Sequence, residues 1–232
     1  MTNIGQRVFQ IAIDGPVAAG KSTVAKMLAE RLGFLYVDTG AMYRAVALEA
    51  EKAGVDWGDE EKVTELMSTL ELELDKPNGG ESDGRLVTVL LDGKDVSNQI
   101  RNSHIGEGAS VVSTHGGVRE VLVAMQQNIA EGESVVMEGR DICSRVLPNA
   151  NLKIFLTASV SERVERKMEF LRGKGEGVSR EQVERDLEKR DERERTRKID
   201  PMKPTDDAWV FDTTGLGIDE VVEKIVERVE TA

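Results

Sequence analysis

The stretch Gly15-Pro-Val-Ala-Ala-Gly-Lys-Ser22 fits the pattern G-x-x-x-x-G-K-[ST], and the chemistry of such a stretch is the holding of a phosphate chain. Glycine permits a tight turn and close backbone approach, so the N–H groups of residues 15 to 22 can wrap a β-phosphate. The start of a following helix adds partial positive charge. Lys21 is expected to reach the β- and γ-phosphates, and the Ser22 hydroxyl is an oxygen ligand suited to Mg²⁺. Gly15, Pro16, Val17, Ala18, Ala19, Gly20, Lys21, Ser22 and Thr23 are therefore the expected nucleotide-binding loop, with Ser22 as its metal ligand.

A phosphate loop alone does not distinguish hydrolysis of a nucleotide from transfer of its phosphoryl group. The arginines favour transfer. Arg44, Arg119, Arg140 and the run Lys189-Arg-Asp-Glu-Arg-Glu-Arg-Thr-Arg197 lie at the ends of expected elements. Bringing two anionic phosphates together requires neutralisation, and arginine is permanently charged and forks onto two oxygens. An acceptor phosphate is already ionised, so no acid–base pair is needed, and catalysis reduces to positioning and charge stabilisation. The motif Asn-Lys-x-Asp, which reads guanine in hydrolytic switches, is absent.

These residues need elements to carry them. Val8 to Ile13 reads as a strand entering the loop, and Val24, Met27, Leu28 and Leu32 recur at helical spacing after it, with Gly33 as cap. Phe34–Val37 predicts a second strand, and a helix follows from about Ala41 to Ala53. Asp59 is placed to cap a short helix carrying Val63, Leu66 and Met67. Leu72–Leu74, a polar turn over 78–84, and Leu86–Leu91 then predict an antiparallel insertion over 58–107. Asp92-Gly93 reads as a hairpin turn rather than a metal site. Strands at Val135–Met137, Leu152–Leu156 and Trp209–Phe211 alternate with helices, the last marked by Ile218, Val221, Val222, Ile225, Val226 and Val229. Five apolar strands between helices imply an α/β fold with a parallel sheet covered on both faces. Gly173–Gly177 is expected to join two helices.

Composition narrows the functional class. The chain has 232 residues, 39% hydrophobic and 32% charged, with a net charge of −12. That charge argues against nucleic acid and anionic membrane as partners. The single cysteine, Cys143, excludes an internal disulfide, and no signal peptide or membrane span is evident, so a cytoplasmic protein is expected. A monomer is expected too. Residues 162–198 hold 13 Lys or Arg against 11 Asp or Glu, a local basic concentration in an acidic chain.

Taken together the chain resembles the bacterial-type cytidylate kinases, within the nucleoside monophosphate kinase group of P-loop proteins. The resemblance rests on Gly15-Pro-Val-Ala-Ala-Gly-Lys-Ser-Thr23, Asp38-Thr-Gly-Ala-Met-Tyr-Arg44, Asp92-Gly-Lys-Asp-Val96, Val118-Arg-Glu120, Gly139-Arg-Asp141, Lys153-Ile-Phe-Leu156, the 190–197 run and Asp212-Thr-Thr214, in the family's order. It implies a P-loop NTPase fold like adenylate kinase, a three-layer α/β/α core with a five-stranded parallel sheet. The core would be 1–57 and 108–232, the monophosphate-binding insertion 58–107, and a helical lid would lie within 160–198. The implied reaction takes ATP and CMP or dCMP to ADP and CDP or dCDP, with Mg²⁺. The resemblance assigns Arg44, Arg140 and Arg197 to the acceptor phosphate, and Ser110, Arg119 and Asp141 to cytosine. It places Arg190 by the ribose, Arg166 by ATP, and Thr39 among the substrate-binding residues. A carboxylate facing the cytosine amine would repel the carbonyl of uracil. A kinase for another small acceptor and a hydrolytic switch are the competing functions.

Three positions depart from the family pattern. Glu194 stands where an aspartate usually contacts the ribose, Val17 where serine or alanine is frequent, and Glu138 where aspartate precedes Gly-Arg-Asp. None removes a phosphate-neutralising charge, so they read as tuning. His104 and His115 are expected to be surface or loop residues, Cys143 a packed thiol, and Trp57 and Trp209 packing residues.

Overall fold

The structure is a computed structural model describing residues 8–75 and 85–231; the turn expected over 78–84 lies outside them. The elements run β1 (Gln10–Asp14), α1 (Lys21–Leu32), β2 (Leu35–Asp38), α2 (Thr39–Lys52), α3 (Glu60–Met67), β3 (Leu72–Asp75), β4 (Thr88–Leu91), β5 (Lys94–Asp95), α4 (Ser103–Val112), α5 (Gly116–Ala130), β6 (Val135–Glu138), β7 (Leu152–Thr157), α6 (Val160–Gly173), α7 (Arg180–Thr196), β8 (Trp209–Asp212) and α8 (Ile218–Glu230). They form two compact units, one built from residues up to Leu35 together with those from Gly132 on, the other from Tyr36–Glu131.

The first unit supplies β1, β6, β7 and β8 to the main sheet. The expected five strands form it in the order β2-β6-β1-β7-β8. β1 pairs in parallel with β6 and β7, and β7 with β8. β2 enters at Leu35, whose N–H donates to the Ser134 carbonyl at 2.9 Å. The central strands are apolar at nearly every position because both faces are covered, with Ile11, Ala12, Ile13, Val135, Val136, Met137, Ile154 and Leu156 all buried. Register places Ile13 opposite Glu138 and Asp14 opposite Phe155. β1 therefore ends one residue past the level of the end of β6, and β7 runs on to Thr157; α/β sheets bind ligands at that carboxyl edge. The expected final helix is α8, burying Val221, Val222, Ile225, Val226 and Val229.

In the second unit, helices α2 to α5 gather around an apolar cluster that includes Met42, Val46, Val63, Val112, Val118 and Leu122. Asp38 caps α2 by accepting from Ala41 N–H, and Asp59 caps α3 by accepting from Lys62 N–H. The expected antiparallel element is the sheet β3-β4-β5. Its hairpin joins Leu91 to Lys94 through Asp92 and Gly93, with φ of 48° and 70°. A two-residue turn with both φ positive matches the right-handed strand twist, which is why Asp-Gly sits there. Asp92 is thus a turn residue, and its carboxylate accepts from Glu71 N–H at 3.1 Å. Helix α4 is not apparent in the sequence; it runs continuously across the expected boundary at 107/108. No helix among the described residues is long and apolar enough to cross a membrane.

Candidate active site

The phosphate loop leaves β1 at Gly15, with φ of 146°. A Cβ at this residue would lie 2.0 Å from the main-chain oxygen of Leu156 on β7, so no side chain is admitted. The loop ends at Gly20, left-handed at 94°, and α1 begins with Lys21. The Lys21 ammonium donates to the Pro16 carbonyl at 2.8 Å, folding back over the loop. Burial, reinforced by the charge of Arg140 and opposed by Glu138 and Glu194, pushes the Lys21 ammonium down to about 7. Ser22 donates its hydroxyl to the Glu138 carboxylate at the end of β6 at 2.5 Å. Glu138, a departure that reads as tuning in the sequence, stands against the expected metal ligand. Thr23 is exposed.

Around this loop the first unit gathers the expected arginines and the acids that hold them. Arg140 follows β6 and is paired through Nε with Glu194 of α7. Arg190, one turn earlier on α7, donates to the other Glu194 oxygen at 2.9 Å. Glu194 is only 3% exposed. Burial pushes its carboxyl up, but Arg140 and Arg190 outweigh that and hold it down at about 2. Glu194, read from the sequence as tuning, joins two of the expected arginines through its two carboxylate oxygens. Arg197 donates to Asp141 at 2.9 Å and, through Nε, to the Asp200 carbonyl at 2.8 Å. Asp14, at the end of β1, accepts the N–H groups of Ile142 and Cys143, both at 2.8 Å. It thereby straps down the turn that carries Arg140 and Asp141. Burial, helped by the charge of Asp141, pushes the Asp14 carboxyl up to about 6 against those two donors. Cys143 is buried and its thiol pushed far up by burial, so it is a packed residue as expected.

Helices α6 and α7 also touch the loop. Arg166 donates to the Ala19 carbonyl at 3.1 Å and to Thr213. Arg163 donates to Asp191 and to the Val17 carbonyl. Neither Arg163 nor Asp191 is singled out by the sequence.

Thr39, Arg44, Ser110 and Arg119 belong to the second unit. Thr39 opens α2 and is buried. Arg44 donates to the Ile100 and Asn102 carbonyls at 3.1 and 3.3 Å, and lies against Gly106, where a Cβ would come within 2.8 Å of its guanidinium. Arg119 is 1% exposed and donates to the Tyr43 hydroxyl at 3.2 Å and to the Ser113 carbonyl. Ser113 in turn donates to the Ser110 carbonyl, so Ser110 and Arg119 are joined by one intervening residue. The Ser110 hydroxyl is buried and has no hydrogen-bond partner among the described residues. His115 is a loop residue but not a surface one. It precedes α5, is 6% exposed, and its Nε2 lies 2.7 Å from the Trp57 carbonyl. His104 is exposed beside Glu51. Trp57 packs, with its indole N–H donated to the Ala47 carbonyl, and Trp209 stacks on Phe211.

Comparison with known proteins gives this arrangement its relatives. A sequence profile described as "Cytidylate kinase" matches residues 11–231. The chain belongs to the cytidylate kinase family. It is 47% identical over 222 residues to a cytidylate kinase of Shouchella clausii (strain KSM-K16), covering 96% of each chain. It is 44% identical over 225 residues to that of Bacillus subtilis (strain 168), covering 97% of this chain and 98% of the relative. Among solved structures, an uncharacterized protein from Eubacterium ventriosum matches with a TM-score of 0.56 at 13% identity, over 97% of this chain and 99% of that one, a likeness of fold alone.

Proposed function

We propose that this member of the cytidylate kinase family transfers the γ-phosphoryl group of ATP to CMP or dCMP. The bond from the γ-phosphorus to the bridging oxygen breaks, a bond to an acceptor phosphate oxygen forms, and ADP departs with the electron pair. The observation that carries this reading is the concentration of Lys21, Arg140, Arg190 and Arg197 around a phosphate loop at the carboxyl edge of the sheet. Such a site stabilises the spread of negative charge in phosphoryl transfer without acid–base chemistry.

Each residue then has a role. The loop from Gly15 to Thr23, with Arg166, holds the ATP phosphates. Arg44, Arg140 and Arg197 neutralise the acceptor phosphate, Arg190 lies by its ribose, and Thr39 contributes to the acceptor site. Ser110, Arg119 and Asp141 read cytosine; the unpartnered Ser110 hydroxyl supports that assignment. The 58–107 segment is assigned to the monophosphate, and α6–α7 to a lid that excludes water. Mg²⁺ fits the donor set, because Ser22 and Glu138 offer hard oxygens beside the loop. Mg²⁺ usually keeps several waters and is held by few protein oxygens plus substrate phosphates, so the lack of any cluster of three His, Cys, Asp or Glu among the described residues would be compatible with it. It would supply neutralising charge to the phosphates.

The test is ADP formation from Mg-ATP with CMP, dCMP, UMP, AMP or GMP, and with no acceptor. Rapid ADP formation with CMP and dCMP alone is expected. ATP loss indifferent to acceptor would overturn the kinase reading, and preference for another monophosphate would overturn the base-reading assignment.

A further inference from the structure

Val17 is the third residue of the phosphate loop, and both of its backbone polar groups are taken by one ion pair. Its N–H donates to Asp191 Oδ1 at 3.2 Å, and its carbonyl accepts from Arg163 Nη1 at 3.1 Å. The same Arg163 nitrogen donates to Asp191 Oδ2 at 2.5 Å. The two side chains thus close a ring around a single loop residue. Asp191 is 8% exposed and Arg163 7%. They come from different helices, Arg163 from α6 and Asp191 from α7. A second, independent contact lies alongside. Val164 and Leu171 of α6 and Val183 and Leu187 of α7 form an apolar cluster, and the Val17 and Ala18 side chains pack against it.

We infer that Asp191 and Arg163 are positioning residues that fix the phosphate loop at Val17 in the shape that takes the donor triphosphate. Withdrawal of the two helices would leave the Val17 N–H and carbonyl without these partners and expose Val17 and Ala18 to water. The loop's shape therefore depends on the helices being seated. Asp191 itself is unsuited to touch the donor, since a carboxylate repels a triphosphate. Held by Arg163 and by the Val17 N–H, its charge is spent on the loop instead. The valine at position 17 now has a physical reason: an apolar side chain there adds to the seat.

The inference rests on reading the loop as the ATP site, and the experiment separates the two. Binding of a non-hydrolysable Mg-ATP analogue is measured by calorimetry for the wild type, Asp191→Asn and Arg163→Lys, with KM for ATP and CMP from steady-state rates. Hydrogen exchange follows α6 and α7 with and without the analogue. Asp191→Asn keeps an acceptor for Val17 N–H but loses the charge that holds Arg163. Its analogue Kd and its KM for ATP are expected to rise about tenfold or more. The KM for CMP should change little, and the analogue should slow exchange in α6–α7 of the wild type but not of the variant. Arg163→Lys keeps the charge on a shorter side chain, which draws the one donor atom back from both Asp191 and the Val17 carbonyl; it is expected to move the same way, which covers loss of folding in the first variant. A folded Asp191→Asn that binds the analogue within about twofold of the wild type overturns the inference alone. A wild type that does not bind the analogue overturns the functional reading and the inference with it.

Discussion

Asp141 and Arg197 hold each other: the Arg197 guanidinium donates to the Asp141 carboxylate at 2.9 Å, and the two side chains are only 6% and 2% exposed. Neither charge has water to fall back on. Removing Asp141 leaves the Arg197 charge buried without its carboxylate, so Asp141→Ala is expected to lower the unfolding free energy by about 3 kcal/mol in urea titrations. Asp141→Asn keeps the shape and removes the charge. With CMP its kcat/KM should fall by about 100-fold, and its preference for CMP over UMP should narrow. An unchanged CMP-to-UMP ratio would remove Asp141 from base recognition.

ATP binding is expected to be linked to a proton through Lys21. Its ammonium is pushed down to about 7, chiefly by burial and then by Arg140. A triphosphate favours the charged form and raises that value again. Binding at pH above about 7 should therefore take up a proton, and ATP affinity should weaken as pH rises further. Calorimetry in buffers of different ionisation enthalpy reads the uptake directly. The same measurement on Lys21→Met should show no such uptake and much weaker binding.

Asp14 and Glu194 are expected to move stability with pH in opposite directions. Asp14, raised from 3.8 to about 6, keeps a proton in the folded state that the unfolded chain has already lost, so its contribution falls as pH rises through that window. Glu194, lowered from 4.5 to about 2, contributes stability that is present above the higher value and lost as pH falls towards the lower. Urea unfolding of Asp14→Asn should show a flatter curve across the Asp14 window, gaining on the wild type by about 3 kcal/mol from its acid to its neutral end. Its constant loss from the Ile142 and Cys143 hydrogen bonds does not affect that slope. Glu194→Gln should flatten only the more acid window. A wild-type slope retained in either variant would assign the titration to another group.

The strands and the loop were legible because apolar runs and glycines act locally. Asp92-Gly93 was legible for the same reason, since the turn is decided by two residues. Helix α4 was not. Gly106 and Gly108 weaken helical signal, and their reason lies elsewhere in the chain: added Cβ atoms would come within 2.8 Å of the Arg44 guanidinium and 2.5 Å of the Trp57 ring. The arginines were legible by type, whereas their partners were not. Arg163 sits in a run where charges recur at helical spacing, yet its partner Asp191 is 28 residues away. His115 carried no sequence sign of burial, which comes from packing before α5 with its ring nitrogen against the Trp57 carbonyl.

A chemist designing an inhibitor for the corner between Arg140 and Arg190 would find it already half filled. What an anionic head group must displace there is the Glu194 carboxylate, seated by charge-assisted hydrogen bonds from both arginines. A ligand carboxylate exchanges like for like at that corner. A tetrahedral phosphonate brings a further oxygen and a further charge, so the gain from anionic head groups should begin where carboxylates stop.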